Sequence, residues 1–160
     1  MQIIFVNRNL GGVYMFLNEL SKNEGISFMQ LVKGLINSDN TFAKEEKNLY
    51  TDYLEELNIK ETEISDLNLN SIYENLKSSS ERSKNIIYFE LIGLALIDGE
   101  YDEKEVEFLE EIAVKLEIKR NKRISFANYF YNFVDVYDFS VVDAESKITL
   151  LKEQAEKLLA

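Results

Sequence analysis

Cysteine and histidine are both absent from this chain, which removes most of the familiar catalytic and metal chemistry before any motif is considered. Without cysteine there are no disulfides, no thiolate metal ligands and no cysteine nucleophile. Without histidine there is no side chain that ordinarily titrates near neutrality, no imidazole ligand for transition metals, and no Ser-His-Asp or Cys-His catalysis. Proline is missing as well, so helices can run without the break that its ring and lost N–H impose. Positive charge is scarce: 18 Lys and Arg stand against 29 Asp and Glu, for a net charge of -11. That balance argues against a nucleic-acid partner, because phosphate-backbone binding needs clustered Lys and Arg to release counterions. The most basic stretch, Lys115 to Arg123 (KLEIKRNKR), adjoins a strongly acidic segment and reads as a solvated helix junction.

No membrane span is expected. The longest apolar run, Ile86 to Ile97 (IIYFELIGLALI), is interrupted by Glu90 and falls short of the roughly 20 residues that cross a bilayer. It reads as a central core helix. The first residues, MQIIFVNRNLGG, hold too short an apolar region for a secretion signal, so a cytoplasmic protein is expected.

What is present is apolar spacing near 3.6 through most of the 160 residues, a length that can bury one sizeable core. In Asp102 to Ile118, Val106, Leu109, Ile112, Ala113 and Leu116 share one face, with Glu107, Glu110, Glu111 and Lys115 on the other. Further helices are predicted at about 15 to 22, 28 to 38, 43 to 58, 70 to 77, 81 to 97, 121 to 139 and 144 to 159. Ser27 with Gln30, Ser78 with Glu81, and Asp102 with Glu105 have the spacing of capping boxes. The polar stretch 61 to 80 reads as the connection between two halves. Phe126, Tyr129, Phe130, Tyr131, Phe133, Tyr137 and Phe139 crowd one predicted helix. Such a stripe reads first as core, and second as a docking surface for whichever rings one face cannot hide.

Sliding the chain against itself by 59 residues, without a gap, pairs Gly34 with Gly93, Leu35 with Leu94, Asp39 with Asp98, Glu46 with Glu105, Leu57 with Leu116, Ile59 with Ile118 and Lys60 with Lys119. Shared apolar positions alone would only mean that both segments show a core face; the shared glycine, aspartate and glutamate say more. The expected fold class is therefore all-α: a compact bundle of about seven or eight helices built on two repeated helix-turn-helix units, about 28–60 and 87–119, with pseudo-twofold symmetry. Gly34 and Gly93 fall in mid-helix, where glycine costs up to about 1 kcal/mol against alanine, so a close approach is expected there. Residues 15–160 read as one domain. Residues 1–14 fit the scheme poorly and read as a leader or arm. Gly11-Gly12-Val13 can be encoded by a ribosome-binding run at initiation spacing before Met15, which points to Met15 as the natural start; the rival reading makes QIIFV an edge strand or clasping arm.

The densest charge lies in DGEYDEKE, where Asp98, Glu100, Asp102, Glu103 and Glu105 are offset by Lys104 alone. Neighbouring carboxylates raise one another's pKa, and a hard cation would relieve the repulsion. Asp98 also closes a helix whose last carbonyls already carry partial negative charge; its compensating partner is either a cation or the free N–H groups opening the next helix. An EF-hand is excluded: counting Asp98 as position 1, Glu103 replaces the glycine at position 6 and Leu109 the glutamate at position 12. The segment ALIDGEYDEKEVEFLEEIAVKLEI resembles the signature helix-turn-helix of TerB-like domains, a family that includes tellurite-resistance proteins and the N-terminal domains of DnaJ-type co-chaperones. The resemblance rests on Ala95, Asp98, Gly99, Tyr101 and Glu105 and covers about 30 residues well. The first unit departs from the pattern at Asn40 and Ala43, so only Asp39 and Glu46 carry over to it.

The resemblance implies a compact helical module with divalent-cation binding, in a family with a role in stress response. The expected ligands are Asp98, Glu100, Asp102 and Glu105, with Asp39 and Glu46 as a weaker counterpart. Oxygen ligands alone suit Ca, Mg or Mn. The expected function is a non-enzymatic binding module with an unidentified protein partner. A metal-independent helical adaptor is the alternative, and a carboxylate-based Mg or Mn hydrolase the lesser one, since no nucleophile or oxyanion donor stands in recognisable spacing.

Overall fold

Serine at the right place starts both central helices. The computed structural model describes residues 16–38, 44–65, 68–95, 103–139 and 144–160, with the side chains of 44–47, 49, 131, 133–139 and 144–148 also outside the description. The expectations for the 1–14 arm and for Met15 as the start lie outside the described residues. Helix α1 (Lys22–Ile36) opens on a complete capping box: Glu24 N–H donates to Ser21 Oγ at 3.2 Å, and Ser21 N–H donates to Glu24 Oε1 at 2.9 Å. Its start is six residues earlier than predicted, and Ser27, the expected cap, is buried inside the helix. The reason is that after a polar first turn, Lys22 to Glu24, α1 is enclosed almost all round from Gly25 to Ile36, so no alternation of wet and apolar faces marks where it begins. The predicted helix at 15–22 is a single 3-10 turn, Leu17–Glu19, because Ser21 must adopt an extended conformation to cap α1.

Helix α2 (Lys44–Leu57), a 3-10 turn at Glu61–Glu63, and helix α3 (Leu69–Leu76) follow; helix α4 (Glu81–Ala95) then runs through the core. In α4 the cap is Ser80 rather than Ser78, with Ser83 N–H donating to Ser80 Oγ at 3.0 Å. Helix α5 (Glu103–Lys115), the long α6 (Arg120–Phe139) and α7 (Ala144–Leu159) complete the chain. The seven helices make the described residues an all-α bundle without strands, and no helix among them is long and apolar enough to cross a membrane.

Helices α1 and α4 pack against each other at the centre; α2 and α3 flank α1, while α5, α6 and α7 flank α4. On α4, Asn85 to Ile92, Leu94 and Ala95 are all buried. Phe89 is the hub of an aromatic cluster, with ring centroids 6.0 Å from Phe16, 5.3 Å from Phe126, 5.3 Å from Tyr129 and 4.7 Å from Phe130. The aromatic stripe of α6 is core as far as Phe126 and Tyr129 are concerned, with Phe130 packed against it; the side chains of Tyr131, Phe133, Tyr137 and Phe139 lie outside the described residues. Gly93 is needed by that cluster. A Cβ there would stand 2.8 Å from Phe130 Cζ, so the close approach is of a ring on α6.

Several local features recur 59 residues apart. The bounds of α1 and α4 do so, and so do the capping serines Ser21 and Ser80. The closures of α2 and α5 also match. Asn58 and Glu117 are both left-handed, at φ 54 and 59. The next amides close the helix ends identically, Ile59 N–H to Leu54 O at 3.0 Å and Ile118 N–H to Ala113 O at 2.9 Å, and both isoleucines are buried. The left-handed Glu117 ends α5 at Lys115, short of the predicted 118.

Arg82 on α4 ties the periphery together. Its Nε donates to Glu19 at 2.8 Å and its NH2 group to Glu19 at 3.0 Å and Glu156 at 2.9 Å, and hydrogen bonding to the guanidinium holds the Glu19 carboxyl below its ordinary range. The end of α7 is capped by Lys122, whose Nζ donates to the Leu158 carbonyl and, at 3.0 Å, to that of Ala160.

Two stability effects follow from the backbone. Glu117→Gly removes a left-handed glutamate and should stabilise by about 1 kcal/mol, more than Asn58→Gly, because asparagine tolerates that region better. Gly93→Ala should destabilise by about 1 to 3 kcal/mol through the clash with Phe130, and the loss should shrink in a Gly93→Ala, Phe130→Leu double variant. Urea unfolding of the four proteins against the parent checks both.

Candidate functional site

The residues expected to bind metal are distributed unevenly with respect to the described structure. Asp98, Glu100 and Asp102 belong to the connection 96–102 and Asp39 to the connection 39–43, and both lie outside the described residues. Glu46 is on α2, its side chain outside the description. Glu105 is placed: it sits in the first turn of α5 and is 8% exposed, and it is not without an interaction partner. The positive end of the helix dipole favours a carboxylate there. No group of three or more carboxylates able to hold a metal occurs among the described residues. The acidic segment thus joins the end of α4 at Ala95 to the start of α5 at Glu103.

A second carboxylate is enclosed where sequence reasoning assigned no role. Glu90, in the middle of α4, is 8% exposed amid the aromatic cluster. Phe16 N–H donates to its Oε1 at 3.4 Å, a long bond, and among the described residues it has no cationic partner. Burial pushes its pKa up to about 7; the Phe16 N–H pulls the other way and the negative charge of Glu56 adds to the rise. Tyr129 lies behind it, its hydroxyl donating to Leu151 O at 2.9 Å, and burial followed by the Glu90 charge drives the phenol well above its ordinary range. The sequence signal for this group was a lone acid within an otherwise apolar run.

Phe16 is itself held from three sides. Its ring lies 5.7 Å from the Arg82 guanidinium and 5.8 Å from the Lys152 ammonium, and edge-on to Phe89. The 3-10 turn it precedes is thereby fastened to α4 and α7.

No family model matches the chain, and no curated protein or solved structure matches it either. The TerB-like resemblance therefore rests on the residues that carry it.

The raised pKa of Glu90 has a definite sign. Its proton is held more tightly in the folded chain than at the ordinary value of 4.5, so its contribution to stability is complete below that pH and is lost as pH rises through about 7. The full difference is on the order of 3 kcal/mol. Glu90→Gln should remove this pH dependence and be the more stable protein at pH 8, as unfolding free energies measured from pH 4.5 to 8 will show. A parent and variant with parallel profiles would contradict the assignment.

Proposed function

We propose that this chain is a non-enzymatic, TerB-like helical module that acts by binding: a divalent cation at the acidic segment Asp98 to Glu105, and through the folded bundle a protein partner, in a stress-response setting. The reading includes an internal duplication, with α1 and α2 as one helix pair and α4 and α5 as its copy about a pseudo-twofold axis. Supporting it are the helix bounds, capping serines and left-handed closing residues that recur 59 residues apart.

One observation carries the functional part. The connection between α1 and α2 contains a single acid, Asp39, with Glu45 and Glu46 just inside α2, whereas Asp98, Glu100 and Asp102 stand between α4 and α5, with Glu103 and Glu105 just inside α5. Two helix pairs of the same frame need the same connection for folding, so the additional carboxylates exceed what the fold requires. Such a surplus, without imidazole or thiolate, suits Ca, Mg or Mn. Asp98, Glu100, Asp102 and Glu105 are the proposed ligands, and Asp39 with Glu46 form at most a weaker relative. The burial of Glu105 favours a second reading, a metal-independent adaptor in which the acids serve only the helix start.

Thermal unfolding with and without cations separates the two. Binding to the folded form should raise stability by about 2.7 kcal/mol when the ion exceeds its dissociation constant a hundredfold. Asp98→Asn should abolish that response while leaving the melting temperature in chelator nearly unchanged, and Asp39→Asn should leave most of the response in place. A melting temperature indifferent to millimolar Ca, Mg and Mn would sink the cation site and leave the adaptor reading.

A further inference from the structure

A cleft of about 580 Å³ opens between α3, the start of α4 and the end of α5, within the range of small-molecule sites. Leu76 and Leu116, 0% and 2% exposed, lie beneath its floor, and the apolar surface it presents is that of the half-buried Tyr73, packed against the core. Lys77, Lys84 and Lys115 converge on it from three different helices or helix ends. We propose that this cleft binds a small anionic ligand, a carboxylate or phosphate carried on an apolar body, with the lysines holding the anion and the ring of Tyr73 and the lysine stems the remainder.

The charge arrangement is the main argument. In a chain of net charge -11, Lys22 pairs with Glu63 at 2.8 Å, Lys33 with Glu61 at 3.6 Å and Lys119 with Glu81 at 3.7 Å. Lys60, Lys122, Lys152 and Lys157 form no ion pair among the described residues, so the distinction of the cleft is that three lysines meet there. The three cleft lysines form no ion pair among the described residues, although Glu74 and Glu117 line the same cleft. Helix dipoles account for two of them, since Lys77 follows the last residue of α3 and Lys115 lies in the last turn of α5. They do not account for Lys84, which stands near the start of α4, where the dipole opposes a cation. Lys115 is further committed to this surface, its ammonium 5.9 Å from the Tyr73 ring centroid. The Tyr73 hydroxyl is enclosed without a hydrogen-bond partner among the described residues, an unmet donor on a residue that lines the cleft.

The first helix pair supplies a contrast. The position 59 residues before Lys84 is Gly25, and a Cβ there would meet Ile59 at 3.1 Å and Leu57 at 3.4 Å. The end of α2 is thus closed down onto the start of α1. In the second pair a lysine occupies that place and the cleft stands beside it. The second pair thus holds a half-buried lysine where glycine serves in the first.

The test is a titration of the full chain with phenyl phosphate, followed by amide chemical shifts, with inorganic phosphate and phenol as separate arms. Saturable shifts confined to Tyr73, Lys77, Lys84 and Leu116 are expected, with inorganic phosphate and phenol each binding more weakly. Lys84→Ala should weaken binding by roughly 10-fold, the loss of one charge-assisted contact, and Lys77→Gln should act in the same direction if the first variant fails to fold. Lys152→Ala, on another face, should bind as the parent does. Absence of saturable shifts at these amides up to roughly 10 mM probe, inorganic phosphate binding as tightly as phenyl phosphate, or undiminished binding in both cleft variants would overturn the proposal. The cleft shares no residue with the acidic segment, so either site can fail without the other.

Discussion

From Asn85 onward helix α4 is enclosed almost all round, and the rest of the bundle is arranged to satisfy that requirement. A helix with one wet face needs one neighbour; α4 needs α1, α5, α6 and α7 together, and residue 16 from outside the helices as well. Burying a large apolar side chain is worth about 1.5 to 3 kcal/mol, and α4 contributes Ile86, Ile87, Tyr88, Phe89, Leu91, Ile92 and Leu94 to the core. Gly93 is the concession that lets α6 approach with Phe130. Glu90 is the one acid in this helix's buried stretch, where apolar surroundings favour its neutral form. The centre of the molecule is thus both its main source of cohesion and, through Glu90, a point of sensitivity to protons near neutrality.

How much of this was legible in the sequence depended on whether each helix had two faces. The helices over 44–57, 69–76, 81–95, 120–139 and 144–159 were readable to within a residue or two because apolar periodicity or a clear break marked them. The start of α1 was misplaced because its polar first turn, Lys22 to Glu24, leads from Gly25 into a stretch buried almost all round, and a burial pattern without contrast has no period to read. The serines show the limit of cap motifs: Ser21 with Glu24 caps while Ser27 with Gln30, of equal spacing, is interior. The spacing is necessary for a capping box and is satisfied by accident elsewhere. The end of α5 was read too far because nothing in the word Leu-Glu-Ile announces that the glutamate is left-handed; its counterpart Asn58 is the residue type that gives such a warning.

Legibility of sites followed a different rule. The acidic segment is local, so composition alone exposed it. Glu90 was visible as a lone acid, but its consequence depends on Phe16, Glu56 and Tyr129, which come from three other parts of the chain. The lysine cleft is further out of reach, since positions 73–77, 84 and 115–117 meet only through the packing of three helices. Sequence reasoning therefore found where charge is concentrated along the chain and missed where it is concentrated in space.

The double grip of Arg82 on Glu19 and Glu156, with Phe16 lying against Lys152, sets residues 16–19 beside 152–156 on one side of the bundle. Arg82, Glu19 and Glu156 are each partly exposed, so added salt screens the grip that joins these two segments while leaving the aromatic centre intact, and the seam between them is ionic where the middle is not.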